Sequence, residues 1–144
     1  MRTTVAASVS LTIARLFRLP EAEWAAISTM VVTQSTLGAA LSISGERFAG
    51  TALGAFAGGL LATYLRSGML AFVVGLFALG LVCAVLRLDR AAYRFAGITL
   101  AVVVLIARGQ PAVVIAIHRF FEVSLGIATG LAFTAIWPER ERSE

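Results

Sequence analysis

Apolar runs recur from one end of the chain to the other and are broken only by short charged clusters, so no segment carries the polar face that a water-soluble domain needs. With 144 residues, 59% of them hydrophobic and 14% charged, and a mean hydropathy of +0.90, there is too little polar surface to cover a core in water. Lipid is the solvent such a chain fits. In hydrocarbon each backbone N–H and C=O must be satisfied within the fold, which leaves an all-α integral membrane protein as the expected class. No soluble appendage interrupts the pattern, so residues 1–144 read as a single six-helix membrane domain, with 139–144 as a short cytoplasmic tail.

The opening "MRTTVAASVSLTIARLF" has the basic start and apolar middle of a signal peptide. Arg15 interrupts the apolar region, however, and no small-x-small site precedes "RLPEAEW", so the stretch is expected to be a first membrane helix. Cys83 is the single cysteine, which excludes an internal disulfide. No metal-ligand spacing and no cofactor motif is present. Neither is a nucleophile with a spaced base, and no enzymatic activity is expected. All twelve basic residues are arginine. That choice fits a GC-rich codon bias, and it also fits a protein that handles carboxylates with a permanent forked charge. The arginines are scattered among hydrophobic segments and form no basic face, which argues against nucleic acid as a partner.

Hydropathy divides the chain into six helices at about 3–18, 22–36, 46–65, 68–87, 91–107 and 112–137, several of them short for a span of about 20 residues. Tilt, local thinning or unwound segments would accommodate the short ones. The uncharged, Gly- and Ser-rich "QSTLGAALSISG" from Gln34 to Gly45 is expected to be irregular backbone that lines a cavity, and "RGQPAVV" plays a similar part, with Pro111 opening a helix.

Two arginine-bearing motifs recur at one offset. "RFAGTALGAFAG" from Arg47 returns as "RFFEVSLGIATG" from Arg119, and "RLFR" at Arg15 returns as "RLDR" at Arg87, each shifted by 72 (119 − 47 and 87 − 15). Halves of about 1–66 and 67–138 would each hold three helices, and an odd number forces the second half to enter the membrane from the opposite side. Such a 3+3 inverted repeat points to transport. With both termini on one side, that side carries Arg2, Arg47, Arg87, Arg90, Arg94, Arg140 and Arg142, a bias that favours cytoplasmic termini.

Helical spacing puts Arg47, Gly50, Thr51, Gly54 and Gly58 on one stripe, and Arg119, Glu122, Gly126 and Gly130 on another. The glycines suit close helix packing. Arg47 shares their face and therefore points into the bundle, where an arginine is costly unless it is paired or hydrated. His118 reaches Glu122 one turn on. Read structurally, His118, Arg119 and Glu122 form an internal salt-bridge cluster that orients the helix. Read functionally, Arg47 and Arg119 bind an anion while Glu122 and His118 exchange a proton. Phe48, Phe120, Phe121 and Trp24 are candidate aromatic walls, although packing and interfacial anchoring are the commoner uses of such rings.

The residues Trp24-Ala25-Ala26-Ile27-Ser28, then Val31-Val32-x-Gln34, then Arg47-x-x-Gly50-Thr51-x-x-Gly54 resemble the first membrane motif of the fusaric acid resistance (FUSC) family, which includes the bacterial aromatic acid exporters. Arg119, Glu122-Val123 and Gly126 resemble its second motif, and the matches run from about Trp24 to Pro138. Ser35 stands where the family often has proline. The resemblance implies a multi-pass inner-membrane domain that exports aromatic or other hydrophobic carboxylic acids on the proton gradient. It extends to the aluminium-activated malate transporters of plants, which makes a dimeric anion channel the alternative; a non-transporting scaffold subunit is the third reading. Larger family members carry a substantial cytosolic region after this domain. A unit of this size is therefore expected to pair with a copy of itself as a homodimer, using its glycine faces, with a small organic anion and the lipid bilayer as its other partners.

Overall fold

The computed structural model describes residues 2–33, 36–65, 68–106 and 111–137. These residues form six helices: α1 (Arg2–Leu16), α2 (Glu23–Thr33), α3 (Leu37–Tyr64), α4 (Met69–Val85), α5 (Arg90–Ala101) and α6 (Ala112–Ile136). A π-helical segment, Val102–Ile106, continues α5. Pro111 directly precedes α6, and its carbonyl accepts the Val114 N–H at 2.9 Å. The expected irregular backbone before Gly45 is corrected here: Leu37–Gly45 is the first third of α3, while Gln34 and Ser35 lie outside the described residues. A helix satisfies its own backbone groups, and a Cβ added at Gly38 or Gly45 would meet nothing nearby, so these glycines mark no turn and no close approach. Of "RGQPAVV", Arg108, Gly109 and Gln110 also lie outside the described residues.

The chain divides into two compact units. One comprises Met1–Gly45 with Glu122–Glu144; the other is Glu46–Phe121. In the first, α1 lies on α2 through the small stripe Ala6, Ser10 and Ala14. Its end is tied off by the Leu19 N–H donating to the Ala14 carbonyl at 3.1 Å, with Arg18 left-handed at φ 53°. The later part of α6 packs on α2 so closely that a Cβ at Gly126 would strike the Ala25 carbonyl, and one at Gly130 would come within 2.9 Å of the Val32 Cβ. Thr29 Oγ1 donates to the Ala25 carbonyl and lies 3.0 Å from the Gly126 carbonyl. Val32, Ala40, Val123 and Ile127 form the apolar core between them.

In the second unit α4 and α5 are partners, with Ala71, Leu79, Ala96, Leu100 and Val104 at the core and Leu53, Ala57 and Leu61 of α3 packed against it. The turn after α4 repeats the one after α1: the Leu88 N–H donates to the Cys83 carbonyl at 2.9 Å, and Arg87 has φ 53°. α3 lies on α5 so tightly that a Cβ at Gly50 would strike the Ala92 carbonyl, one at Gly54 the Ala96 carbonyl, and one at Gly58 would come within 2.9 Å of Val103.

The two sets of contacts correspond. Gly126 on Ala25 and Ser28 matches Gly54 on Ala96 and Thr99; Gly130 on Val32 matches Gly58 on Val103. The third helices correspond at 72 (126 − 54), the second at 71 (96 − 25), and the turns at 69 (87 − 18). By helix-end geometry Arg18 therefore corresponds to Arg87, where the "RLFR" and "RLDR" motifs would have paired it with Arg90.

Polarity is distributed in the reverse of a soluble protein. Ser10, Ser28, Thr29, Thr33, Thr51, Thr99, Arg47, Arg119 and Glu122 are buried, whereas Met69, Leu70, Val73, Phe77, Leu81 and Val85 of α4 are exposed. Apolar side chains turned outward around buried hydroxyls and charges suit a hydrocarbon surround. Among the described helices, α6 is long and apolar enough to cross a membrane by length and composition; α4 is apolar but has 17 residues.

Candidate functional site

The two arginine motifs meet within the second unit, where α3 and the first part of α6 contribute one each. Arg47 is 6% exposed and Arg119 2%, and their charges lie within electrostatic reach of each other. Burial of Arg47 follows from the small-residue stripe on which it sits, since α3 cannot lie against α5 through its glycines without carrying Arg47 inward. The Arg47 guanidinium carbon is 4.7 Å from the centre of the Phe95 ring, whose negative face offsets part of the desolvated charge. Two like charges near each other add to the local positive field, and both guanidiniums also have interactions of their own. Such a field favours an anion, and a guanidinium is the group that binds a carboxylate with two parallel hydrogen bonds.

Beside the arginines stand their sequence neighbours. Phe48 and Phe120 pack with ring centroids 5.0 Å apart and planes tilted by 60°, and Phe121 meets Phe120 edge-on at 6.1 Å. Phe120 and Phe121 form one end of an apolar groove of about 570 Å³ between α3 and α6, which continues past Ala52, Phe56, Gly59 and Tyr64. That volume is in the range of small-molecule sites, about 300–1,000 Å³.

The remaining candidates are placed differently. Glu122 is 1% exposed, and its Oε1 accepts the Glu21 backbone N–H at 2.9 Å, so the carboxylate holds the approach to α2 within the first unit. His118 is half-buried, and its Nδ1 is enclosed with no hydrogen-bond partner. Trp24 belongs to the first unit, at the start of α2, where its carbonyl accepts the Ser28 hydroxyl at 2.7 Å. Gly50, Gly54, Gly58, Gly126 and Gly130 are all used in packing inside the units. A homodimer therefore has to use a different surface.

Phe95 escaped the sequence reading, although a signal exists: the tetrapeptide Arg47-Phe48-Ala49-Gly50 is repeated as Arg94-Phe95-Ala96-Gly97. Phe95 also corresponds to Trp24 at the 71-residue offset of the second helices (95 − 24). Phe56 and Tyr64 of the groove were likewise missed, because exposed aromatics on an apolar helix look the same whether or not a groove lies between them.

The chain is 33% identical over 145 residues to the inner membrane protein YeeA of Escherichia coli (strain K12), across 96% of its own length. It spans 40% of the length of that relative. No solved structure matches it significantly. The pattern of the fusaric acid resistance protein-like family matches residues 8–133, through both arginine motifs and the helices that bury them, and the chain belongs to that family.

Proposed function

We propose that the chain is a multi-pass domain of a bacterial inner membrane which exports aromatic or other hydrophobic carboxylic acids, with Arg47 and Arg119 binding the carboxylate. A membrane transport role is supported by family membership and by the inner membrane relative. The observation that carries the substrate reading is the pair of buried arginines in mutual electrostatic reach beside the Phe48–Phe120 ring pair. A hydrophobic carboxylate suits both features: its oxygens match the paired donors of a guanidinium, and its body packs against the rings.

The three-plus-three inverted repeat is part of this proposal. It draws support from the matched glycine contacts of α3 on α5 and of α6 on α2, and from the matched turns at Arg18 and Arg87. Phe48 and Phe120, which the proposed repeat makes equivalent, are in ring contact. Inverted repeats commonly hold their substrate sites near the midplane, and the proposal assigns the arginines to such a site. Proton coupling through Glu122 and His118, and assembly as a homodimer, complete the proposed mechanism.

The test is export of a hydrophobic aromatic acid by cells and by liposomes carrying the parent, Arg47→Ala or Arg119→Ala chain, each shown to be folded. Either substitution is expected to lower flux by about tenfold or more, the loss of one charged hydrogen-bonding partner. Parental flux from both variants would refute the anion site. A flux that follows only the anion's own gradient, and ignores an imposed pH gradient, would replace the coupled exporter with a channel.

A further inference from the structure

We infer that the groove between α4 and α5 holds one acyl chain of an anionic phospholipid, with the lipid phosphate beside Arg94 and Arg90 at the turn end of α5. Neither Arg47 nor Arg119 contributes to this site, which is separate from the proposed export pathway.

Helical spacing lines up the parts. On α5, Arg90, Arg94, Ile98 and Ala101 follow one another at intervals of three or four, so one face runs from charged to apolar along the helix. Phe72 and Leu76 of α4 form the facing wall, and the space between is about 430 Å³. A Cβ at Gly97 would come within 3.1 Å of a Leu76 methyl, so the glycine keeps the floor of the groove open. Tyr93 and Arg94 close its turn end, where the Tyr93 hydroxyl donates to the Leu76 carbonyl at 3.4 Å. From Arg94 to Ala101 the groove follows α5 for about 10 Å at a rise of 1.5 Å per residue, the length of part of an acyl chain. Ile98 on its rim is exposed, so in a membrane a tail enters sideways from the lipid.

Charge decides which lipid. Arg94 itself lines the groove, and its side chain has no ion-pair or hydrogen-bond partner among the described residues; the same holds for Arg87 and Arg90. Between Met69 and Ile106 these three arginines face the single acid Asp89, a surplus of two positive charges (3 − 1). The corresponding turn after α1 carries Arg15 and Arg18 with Glu21 and Glu23, and its charges balance (2 − 2). Arg94 lies only about 6 Å along α5 from its first residue, so its flexible stem carries the guanidinium to the headgroup layer. A phosphate there supplies acceptors for the guanidinium donors, as basic pockets between membrane helices do for acidic lipids. A zwitterionic head group adds an ammonium that the surplus repels. A second copy of this hairpin would bring the same surplus against itself, which argues for lipid as the occupant.

The experiment uses the full purified chain in detergent and measures dissociation constants by native mass spectrometry. The probes are phosphatidylglycerol, phosphatidylcholine with the same acyl chains, and glycerophosphate as a head group without tails. Phosphatidylglycerol is expected to bind at least about tenfold more tightly than phosphatidylcholine. Arg94→Gln is expected to weaken it by about fivefold, the contribution of one arginine beside an anionic lipid surface, and to leave phosphatidylcholine within about twofold. Ala101→Phe fills the tail end of the groove and is expected to weaken phosphatidylglycerol by about fivefold or more, since methylenes lose their site. Arg18→Gln removes the same charge at the balanced turn and is expected to leave phosphatidylglycerol within about twofold.

Equal affinity for the two phospholipids overturns the inference, because the groove then takes any lipid. A loss in Arg18→Gln as large as that in Arg94→Gln also overturns it, since charge spread over the surface would account for both. Parental binding by folded Ala101→Phe removes the tail from the groove, and glycerophosphate binding as tight as that of phosphatidylglycerol makes the arginines an anion site without a lipid; each refutes the phospholipid site. Arg94 is exposed and outside the core, so Arg94→Gln keeps the test decisive if Ala101→Phe does not fold. Efficient intermolecular disulfide formation by Ile98→Cys in the membrane would put a second copy of the chain over the groove, and that too refutes it.

Discussion

Phe48 and Phe120 are 72 residues apart in sequence and in ring contact in space, with centroids 5.0 Å apart. Each directly follows a buried arginine, so the contact that joins the rings also brings the two guanidiniums together. Aromatic packing and two like charges meet at one point of the second unit, where each arginine also has interactions of its own. A guanidinium can bind a carboxylate without disturbing the rings, which is why the site is proposed as a receptor for negative charge.

The ring contact has a measurable energy. In a double-mutant cycle of Phe48→Leu and Phe120→Leu, thermal unfolding in detergent is expected to give a coupling of about 0.5–1.5 kcal/mol in favour of the paired rings. Strictly additive single substitutions would mean that the contact contributes no specific interaction.

Glycines along α3 and α6 divide into those that allow contact and those that do not. Gly54→Ala and Gly126→Ala drive a methyl into a carbonyl of the neighbouring helix and are expected to cost about 1–3 kcal/mol. Gly38→Ala and Gly45→Ala meet open space and are expected to be neutral or to stabilise by up to about 1 kcal/mol. The ranking is read from melting temperatures of the four variants; equal effects across the set would contradict the packing.

Glu122 offers a way to separate structure from proton chemistry. Glu122→Gln keeps an oxygen for the Glu21 N–H and is expected to leave folding nearly intact, whereas Glu122→Ala leaves that donor unsatisfied at a cost of about 1–3 kcal/mol. If the glutamine variant folds and still transports at the parental rate under a pH gradient, the carboxylate is a helix fastener and carries no proton. Loss of pH-driven flux in a folded Glu122→Gln chain is the outcome the coupled exporter requires.

Arg2 closes the first unit by donating to two carbonyls at helix ends, that of Thr33 at the end of α2 and that of Trp137 after α6, the latter at 2.8 Å. A cation at helix C-termini is favoured by the backbone dipoles as well as by the hydrogen bonds. Arg2→Met is expected to lower stability by about 1–3 kcal/mol, and Arg2→Lys, with one compact donor group where two nitrogens served two carbonyls, by somewhat less. Limited proteolysis of the N-terminal segment provides the readout, and equal resistance of parent and Arg2→Met would show that the tie is dispensable.

Much of the architecture was legible before any coordinates. Apolar runs and sparse charge specify helices suited to lipid, because hydrocarbon leaves the backbone no other partner than itself. The glycine spacing marks the contacting face of α3 and of α6, and the recurrence of Arg47 at Arg119 marks two arginines that the fold buries within electrostatic reach of each other. The matched glycine contacts and turns are offset by 69, 71 and 72 residues in different elements, so no single shift aligns them.

Tertiary structure alone decided which helix each glycine face meets. α3 lies on α5 through its glycines, and the later part of α6 lies on α2. Periodicity identifies a small-residue stripe but says nothing about its partner, since neighbouring greasy helices are alike to a chain with no water to exclude. The same ambiguity concealed Phe95 beneath Arg47 and the groove beyond Phe120. Both depend on the distance between helices, and that distance is set by backbones meeting across the glycines.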